Sequence, residues 1–215
     1  MILESLAVGP FQANCYILGE ENSRKCLVID PGAEFDRIWS KISYLGLEVE
    51  KIVLAHAHGD HIGAVRELVE KTGVKVWLHK EDYPLLADPK KNLSGNFGFP
   101  ISVNDAAHFV EEGQEVSCGE IKLKVIHTPG HTPGGICLFG DDILFSGDSL
   151  FYGSIGRTDF HYSSLETLLD SLGSKILSLS DHTKVYPGHG PATTIGRERH
   201  NNPFLQSSFL YQYKH

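Results

Sequence analysis

The sequence has little of what several large classes of protein need. Of its 215 residues, 19 are Lys or Arg and 27 are Asp or Glu, so the net charge is −8 and no basic run offsets it. Nucleic-acid binding needs a basic surface, because counterion release from phosphates drives it. No apolar run approaches the roughly 18 residues of a membrane span. We therefore expect a small-molecule substrate as partner, with neither nucleic acid nor membrane.

Cysteine is also scarce, and the first residues differ from an export signal. The four cysteines stand singly in apolar stretches without a C-x-x-C pair, which is typical of reduced, buried residues. Residues 1–5 include Glu4 and place no cation ahead of an apolar run. We therefore expect a cytoplasmic protein, and the length predicts one domain over residues 1–215. The sequence leaves the oligomeric state open.

Strand and helix patterns alternate along the chain in two successive blocks, without a linker between them. The predicted strands are 2–8, 13–18, 26–30, 52–55, 74–78, 115–118, 121–127, 135–139, 142–146 and 184–186. The predicted helices are 35–45, a helix from about 61 to Gly73, a helix capped by Ser163 and Glu166, and a short helix near 196–201. A long loop is expected over 88–106. This order predicts an α/β protein with two sheets covered by helices.

Histidine, with 12 copies, is concentrated in one place. The hexapeptide 56–61 has the sequence HAHGDH and follows a predicted strand. Residues two apart in an extended segment point to one side, so His56 and His58 can face a single cation. The turn that follows directs Asp60 and His61 elsewhere. The pattern therefore predicts a metal site, and its geometry favours two ions.

Two ions need more ligands than one hexapeptide supplies, and later turns carry candidates. His131 lies in TPGHTPG, Asp148 in SGD and His189 in PGHG, each after a predicted strand. The neighbouring glycines let the backbone approach a metal closely. Asp30, before Pro-Gly at the end of another predicted strand, either orients the hexapeptide or merely initiates a turn.

Taken together, these segments resemble the five ordered motifs of the metallo-β-lactamase superfamily, and the resemblance spans essentially the whole chain. The matching positions are Asp30, the hexapeptide 56–61, His131, Asp148 and His189. The resemblance implies a four-layer αββα sandwich in which two mixed β-sheets are flanked by helices.

The resemblance also implies a role for each matching side chain. One ion is held by His56, His58 and His131, and the other by Asp60, His61 and His189. Asp148 bridges the two ions, Asp60 and Asp148 are the catalytic carboxylates, and Asp30 orients the hexapeptide from outside. The expected cofactor is a pair of divalent ions, zinc first, with iron or manganese as alternatives because nitrogen and oxygen donors do not choose between them.

The implied chemistry is hydrolysis, with a hydroxide shared by two cations as the nucleophile. Four phrases are similar to short glyoxalase II-like proteins, and that branch acts on thioesters of 2-hydroxy acids, chiefly with glutathione. These phrases are TPGHTPG (128–134), GRTDF (156–160), PGHG (187–190) and NPFL (202–205). Arg157 is the candidate contact to the substrate, and an ordinary salt bridge is its alternative.

A redox enzyme is the main alternative. Persulfide dioxygenases of the same fold bind one iron through positions that match His56, His131 and Asp148. We favour the hydrolase because the dioxygenase would leave His189 and its neighbours without a metal. In the predicted loop, residues 92–100 either form a lid over the acyl group or pack against their own helix.

Overall fold

The computed structural model describes residues 1–104 and 107–206, and its strands form two six-stranded sheets and a small ladder. The strands are β1 (Ile2–Val8), β2 (Ala13–Gly19), β3 (Lys25–Ile29), β4 (Glu48–Val53), β5 (Val76–His79), β6 (Ala107–Val110), β7 (Glu115–Cys118), β8 (Ile121–His127), β9 (Ile136–Gly140), β10 (Ile143–Gly147), β11 (Leu150–Phe151), β12 (Ser154–Ile155), β13 (Lys184–Pro187) and β14 (Thr193–Thr194). The first sheet has the order β1-β2-β3-β4-β5-β6, the second has the order β14-β13-β10-β9-β8-β7, and β11 pairs with β12.

Short helices connect and cover these strands. They are α1 (Phe35–Leu45), α2 (Gly59–Ile62), α3 (Val65–Thr72), α4 (Tyr83–Ala87), α5 (Leu165–Ser171) and α6 (Ile195–Asn201). A π-helical turn extends α5 over Leu172–Ile176, and 3₁₀ turns occupy Lys80–Asp82, Ser94–Phe97 and Pro203–Leu205. Across residues 1–104 and 107–206, no helix has the length and apolar character needed to cross a membrane.

Three apolar clusters separate four layers, which confirms the predicted αββα sandwich. On β2, Cys15 and Ile17 face the cluster under the helices of the first block, whereas Tyr16 and Leu18 face the cluster between the sheets. The alternation follows from the two-residue period of a strand. A third cluster, which includes Leu168 of α5, covers the outer face of the second sheet.

Both sheets are mixed, and their parallel pairs place the loops that carry the polar side chains. β3, β4, β5 and β6 run parallel to one another, as do β10 and β13. Parallel strands end at the same edge of a sheet, and ligand sites in open α/β sheets form at that edge. The segments after β3, β4, β8, β10 and β13 contain the residues that the sequence predicts as site residues.

The predicted helix from residue 61 to Gly73 is in fact two helices, α2 and α3. The amide of Gly63 donates to the carbonyl of Gly32 at 2.9 Å, and the amide of Ala64 donates to Pro31 at 2.9 Å. These amides bond to another turn instead of continuing the helix. The interruption anchors the hexapeptide to the segment after β3.

The prediction of Ser163 as a helix cap is wrong by one residue. Ser164 caps α5 and accepts from the amide of Thr167, whereas the Ser163 hydroxyl bonds to the backbone of Phe160. The predicted loop over 88–106 contains the 3₁₀ turn Ser94–Phe97, and its last two residues, 105 and 106, lie outside the described part. α4 and β6, on either side of it, were not predicted.

Candidate metal centre

Three buried imidazoles converge at the end of β4. The Nε2 atom of His56 lies 3.1 Å from Nδ1 of His58, and Nε2 of His131 lies 3.0 Å from the same Nδ1 atom. All three side chains are buried. The turn after β8 therefore brings His131 to the hexapeptide, as the sequence predicts. We call these residues the first donor group.

A second donor group, Asp60, His61 and His189, lies beside the first. Nε2 of His189 is 3.1 Å from Oδ2 of Asp60 and 3.2 Å from Nε2 of His61. His61 is fully buried, whereas the side chains of Asp60 and His189 are about a quarter exposed. The second group is thus the more accessible of the two.

Asp148 lies between the two groups and contacts both. Its Oδ2 is 3.5 Å from Nε2 of His131 and 3.7 Å from Nε2 of His189, and its Oδ1 is 3.5 Å from Nε2 of His61. A side chain on Gly188 would place its Cβ 2.1 Å from Oδ1 of Asp148. Glycine at position 188 is therefore needed for the carboxylate to occupy this place.

The outer hydrogen bonds of two histidines fix which ring nitrogen carries the proton. Nδ1 of His131 lies 2.8 Å from the carbonyl oxygen of Arg157, and Nδ1 of His189 lies 3.1 Å from that of Phe11. A carbonyl oxygen only accepts, so Nδ1 donates in both rings. The lone pair of each Nε2 atom therefore points toward Asp148.

His58 and His61 are held in the same manner. The Tyr162 hydroxyl donates to the carbonyl of Lys91 at 3.0 Å and lies 2.8 Å from Nε2 of His58. Its one proton is used by Lys91, so it accepts from His58, whose Nδ1 is left with a lone pair. Nδ1 of His61 lies 3.0 Å from Oδ2 of Asp30, which leaves Nε2 of His61 facing the centre.

The donor set fits divalent cations. The lone pairs on Nδ1 of His58 and Nε2 of His131 face each other at 3.0 Å and repel, and a cation between them removes the repulsion. Tetrahedral zinc–nitrogen bonds of about 2.0–2.1 Å place their nitrogens roughly 3.3 Å apart. Oδ1 of Asp148 is buried and has no hydrogen-bond partner, as expected of an oxygen that awaits a cation.

Burial and charge act differently on the two groups. Burial, with help from neighbouring imidazoles, lowers the pKa values of His56, His58 and His131, so the first group is neutral. Burial opposes the charged form of His61 as well, but the carboxylates around it, Asp148 foremost, raise its pKa to about 10. A cation that binds there must displace a proton, so binding depends on pH.

Two buried carboxylates hold the hexapeptide from opposite sides. Asp30 accepts from the amide of Ala55 at 2.7 Å and contacts His61, which places it where the sequence predicts. Asp82 accepts from the amide of Ala57 at 3.0 Å, and also from the Thr132 hydroxyl at 2.9 Å and the Gly134 amide at 2.6 Å. Asp82 thus joins the hexapeptide to the turn that carries His131.

The sequence prediction missed Asp82 and Tyr162. One signal points to Asp82, because it follows β5, a neighbour of β4 whose carboxyl end lies at the same edge of the sheet. Tyr162 carries no such signal, since its contact with His58 joins segments 104 residues apart.

The turn with His189 is attached to β2. The side-chain amide of Asn14 donates to the carbonyls of Pro187 and Gly190 at 2.9 Å each, and the Tyr16 hydroxyl donates to Pro187 at 2.6 Å. The backbone therefore fixes the position of this donor, although the imidazole is partly exposed.

A cavity of about 310 Å³ opens onto both donor groups, and we call it the metal cavity. Its polar side carries His58, Asp60, His131, Asp148 and His189. The rest of the lining includes an apolar part, which we call the aromatic side, formed by Leu93, Phe11, Phe97, Phe151 and Phe160. A substrate group in this cavity is therefore enclosed between donors and aromatic rings.

Arg157 lines the metal cavity and also makes a surface salt bridge, so both of its predicted roles have structural support. Its guanidinium lies 2.8 Å from Oδ2 of Asp159 and 4.9 Å from the ring centre of Phe160. Both charged side chains are mostly exposed.

A further donor cluster, His79, Glu81 and His127, lies apart from the metal cavity. The two imidazoles stack at 3.9 Å with 17° between their planes. Nearly parallel rings direct their lone pairs along separate planes, so this cluster lacks the convergence of the first donor group.

The chain belongs to the metallo-beta-lactamase superfamily, whose family model matches residues 8–189. The probable metallo-hydrolase YqgX of Bacillus subtilis (strain 168) is 42% identical over 208 residues, which cover 95% of this chain and 98% of the relative. The hydroxyacylglutathione hydrolase GloC of Haemophilus influenzae is 36% identical over 211 residues, 96% of this chain and 99% of the relative. These relatives confirm the predicted resemblance and support an enzyme of the metallo-hydrolase type.

Solved structures agree on the fold. BLEG-1, a B3 metallo-beta-lactamase, matches with a TM-score of 0.91 and 37% identity over 96% of this chain and 100% of that one. TTHA1623 in a di-iron-bound form matches with a TM-score of 0.85 and 37% identity, and the match covers 94% of this chain and 100% of that one. ETHE1 from Myxococcus xanthus matches with a TM-score of 0.84 and 30% identity, and the match covers 100% of this chain and 90% of that one. The superfamily binds divalent metals, and the candidate donors here suit such ions.

Proposed function

We propose that the protein is a binuclear metal-dependent hydrolase that cleaves thioesters of 2-hydroxy acids. The observation that carries this proposal is the convergence of two donor groups on one shared carboxylate, Asp148. A site for a single ion would not require Asp60 and His189 to lie 3.1 Å apart with their donor atoms facing the same space. The similarity to GloC, a hydroxyacylglutathione hydrolase by name, supports the choice of substrate.

In this proposal each donor group holds one ion, and Asp148 contacts both. The first ion is bound by His56, His58 and His131, and the second by Asp60, His61 and His189. Bound divalent cations supply an activated water at neutral pH and polarise the carbonyl oxygen of the substrate. Zinc is our first choice, and the di-iron form of TTHA1623 keeps iron among the alternatives, with manganese.

The side chains around the donors orient them. Asp30, Asp82 and Tyr162 hold particular ring or backbone atoms, which keeps the lone pairs aimed at the same points. Such outer contacts fix the orientation of metal-binding histidines and raise their basicity. The aromatic side of the metal cavity limits the access of bulk water to the reacting carbonyl.

The cavity itself argues for water rather than a side chain as the nucleophile. Among the described residues, those that line the metal cavity include no Ser, Thr or Cys. All four cysteines are buried and reduced, and burial raises the pKa of each thiol. The departing thiolate needs little help from an acid, because ordinary thiols have a pKa of about 8.5.

Arg157 is the proposed contact to the thiol part of the substrate, chiefly glutathione. Arg157 lines the metal cavity, and its Nε and Nη2 atoms donate to the exposed Asp159, so a substrate carboxylate would take the place of Asp159. A guanidinium binds a carboxylate through two parallel hydrogen bonds, which suits a peptide-like thiol. We also propose that residues 1–215 act as one domain in the cytoplasm, which cell fractionation can test.

An iron-dependent persulfide dioxygenase is the second candidate, and the similarity to ETHE1 from Myxococcus xanthus and to a di-iron-bound structure leaves it open. That reaction would use His56, His131 and Asp148 for a single iron. It would leave the second donor group without an ion, although the atoms of that group converge as closely as those of the first.

The decisive experiment measures metal content, thiol release and oxygen uptake on one sample isolated without added metal. The hydrolase proposal expects two metal ions per chain and thiol release from S-lactoylglutathione without oxygen uptake. One iron per chain with oxygen consumed on a glutathione persulfide would replace it with the dioxygenase. A β-lactam substrate serves as a further control. Hydrolysis of the β-lactam by a sample that releases no thiol from S-lactoylglutathione would contradict the choice of thioester.

A further inference from the structure

A second cavity lies beside the metal cavity, and its walls are mainly apolar. Its volume is about 390 Å³, and we call it the apolar cavity. The segment after β1, the segment after β3 and the predicted loop over 88–106 all contribute to it. The apolar side chains that define it are Val8, Pro10, Phe11, Ala33, Phe97, Phe99 and Ile101.

The two cavities share one wall. Phe11, Gly59, Asp60 and Phe97 line both of them. The rings of Phe11 and Phe97 meet edge to face, with centroids 4.6 Å apart, and each side chain is nearly half exposed. The apolar cavity therefore borders the metal cavity along this exposed ring pair.

The charges around the apolar cavity disfavour an anionic occupant. Its lining includes two carboxylates, Asp60 and Glu34, and no Lys or Arg among the described residues. Glu34 is ion-paired with Arg37 at 2.9 Å, and that bond lowers its pKa, so Glu34 stays negative. The carboxylates therefore disfavour an anionic occupant, and the apolar walls favour an uncharged one, because burial of a charge without a partner is costly.

The metal cavity also borders a cavity of different character. This third cavity of about 420 Å³ includes Arg157, Thr158 and Asp159, and it shares Arg157 with the metal cavity. The metal cavity thus adjoins an apolar compartment and a second one that contains an ion pair. A thioester has two arms on either side of its carbonyl carbon, so the two compartments suit arms of different polarity.

We propose that the apolar cavity binds the acyl arm of the substrate, and that this arm carries an uncharged alkyl or aryl tail larger than the methyl group of a lactoyl thioester. The inference rests on the proposed thioesterase function and adds the class of acyl group to it. The thiol arm then extends past Arg157.

A series of 2-hydroxyacyl glutathione thioesters tests the proposal, with lactoyl, 2-hydroxybutanoyl and 2-hydroxyhexanoyl groups compared by kcat/KM for thiol release. We expect a rise of about fourfold for each methylene that the cavity buries. A terminal carboxylate on the six-carbon acyl group should abolish the gain, because the lining of the apolar cavity includes no Lys or Arg among the described residues to pair with a buried charge. A flat or falling series would overturn the proposal.

Phe99→Ala provides the matched variant, because Phe99 lines only the apolar cavity and is more than half exposed, so its loss should not impair folding. We expect the ratio of kcat/KM for 2-hydroxyhexanoyl to that for lactoyl to fall about fourfold, the contribution of one buried methylene. Phe109→Ala is the control, since Phe109 is an exposed phenylalanine of β6 that lines none of these cavities.

The variants are also compared with a smaller thiol, N-acetylcysteamine, in place of glutathione. The effect of Phe99→Ala on kcat/KM should depend on the length of the acyl chain and should be the same for both thiols. An effect that follows the thiol would assign the apolar cavity to the other arm and overturn the proposal.

Direct binding separates failure of this inference from failure of the thioesterase function. Calorimetry compares lactate with 2-hydroxyhexanoate, whose carboxylate and hydroxyl groups are identical. Tighter binding of the longer acid, reduced by Phe99→Ala and not by Phe109→Ala, supports the apolar cavity even if no thioester is hydrolysed. Equal affinities would overturn the inference even if lactoylglutathione is hydrolysed.

Discussion

The donor side and the aromatic side of the metal cavity are built in different ways. Four of the histidine donors are fixed by a further bond to a buried carboxylate, a backbone carbonyl or a tyrosine hydroxyl, and the turns themselves are tied to neighbouring strands; these donors are His58, His61, His131 and His189. The aromatic side depends on rings such as Phe11 and Phe97, which are nearly half exposed and contact each other. The contrast indicates that the fold fixes the chemistry firmly, whereas a few exposed side chains set the fit of the substrate.

Asp148→Ala should have the largest effect, because it removes the one carboxylate that both donor groups share. We expect both ions to be lost and thioester turnover to fall by more than the roughly 100-fold typical of outer contacts. Elemental analysis and thiol release measure the two effects. A variant that keeps two ions per chain would contradict the shared role of Asp148.

Asp82→Asn tests whether the donor side depends on residues that never touch an ion. Asparagine replaces one acceptor oxygen by an amide that faces the donors of Ala57, Thr132 or Gly134. We expect metal affinity, measured by chelator competition, to fall about 10- to 100-fold. Asp88→Asn, on the same segment, is the control. A lower melting temperature with unchanged metal affinity would make Asp82 merely structural.

Tyr162→Phe should lower the metal affinity about tenfold, a smaller effect than that of most changes to outer contacts. The change removes the acceptor for Nε2 of His58 and the hydroxyl bond to Lys91, and it leaves the ring in place. Chelator competition and kcat/KM are the measurements, and Tyr44→Phe, at an exposed position of α1, is the control. Unchanged values in Tyr162→Phe would show that His58 needs no outer partner.

Asp82 should also give the protein a pH-dependent stability, an effect on folding and not on metal affinity or turnover. Burial raises its pKa from 3.8 to about 6, so the native state holds this proton more tightly than the unfolded chain does. The free energy of unfolding therefore falls as pH rises through that interval, by at most about 1.4 kcal/mol per pH unit. Urea unfolding of the metal-free protein and of Asp82→Asn checks this. If the free energies of unfolding of the two proteins differ by the same amount at pH 4 and at pH 6, the raised pKa of Asp82 is contradicted.

The sequence predicts the parts of the fold whose causes are local. The alternation on β8 and the apolar period of α1, which ends at Gly46, both appear in the structure as predicted. The seven predicted donors also lie together, because their turns follow strands that end at one edge of the sandwich.

Long-range contacts account for what the sequence does not predict. The break between α2 and α3 depends on the carbonyls of Pro31 and Gly32, which only the folded chain brings near. Asp82 and Tyr162 act on residues far away along the chain, and each is unremarkable among its sequence neighbours. The split of the pocket into an apolar and a charged side likewise arises from segments that meet only in three dimensions.

A crystal structure of the metal-loaded protein, with anomalous scattering data, tests the central claim most directly. The account predicts two metal peaks about 3.5–4 Å apart, one beside His56, His58 and His131, the other beside Asp60, His61 and His189, with Asp148 in contact with both. A single peak at the first donor group, with the second group bound to no ion, would contradict it.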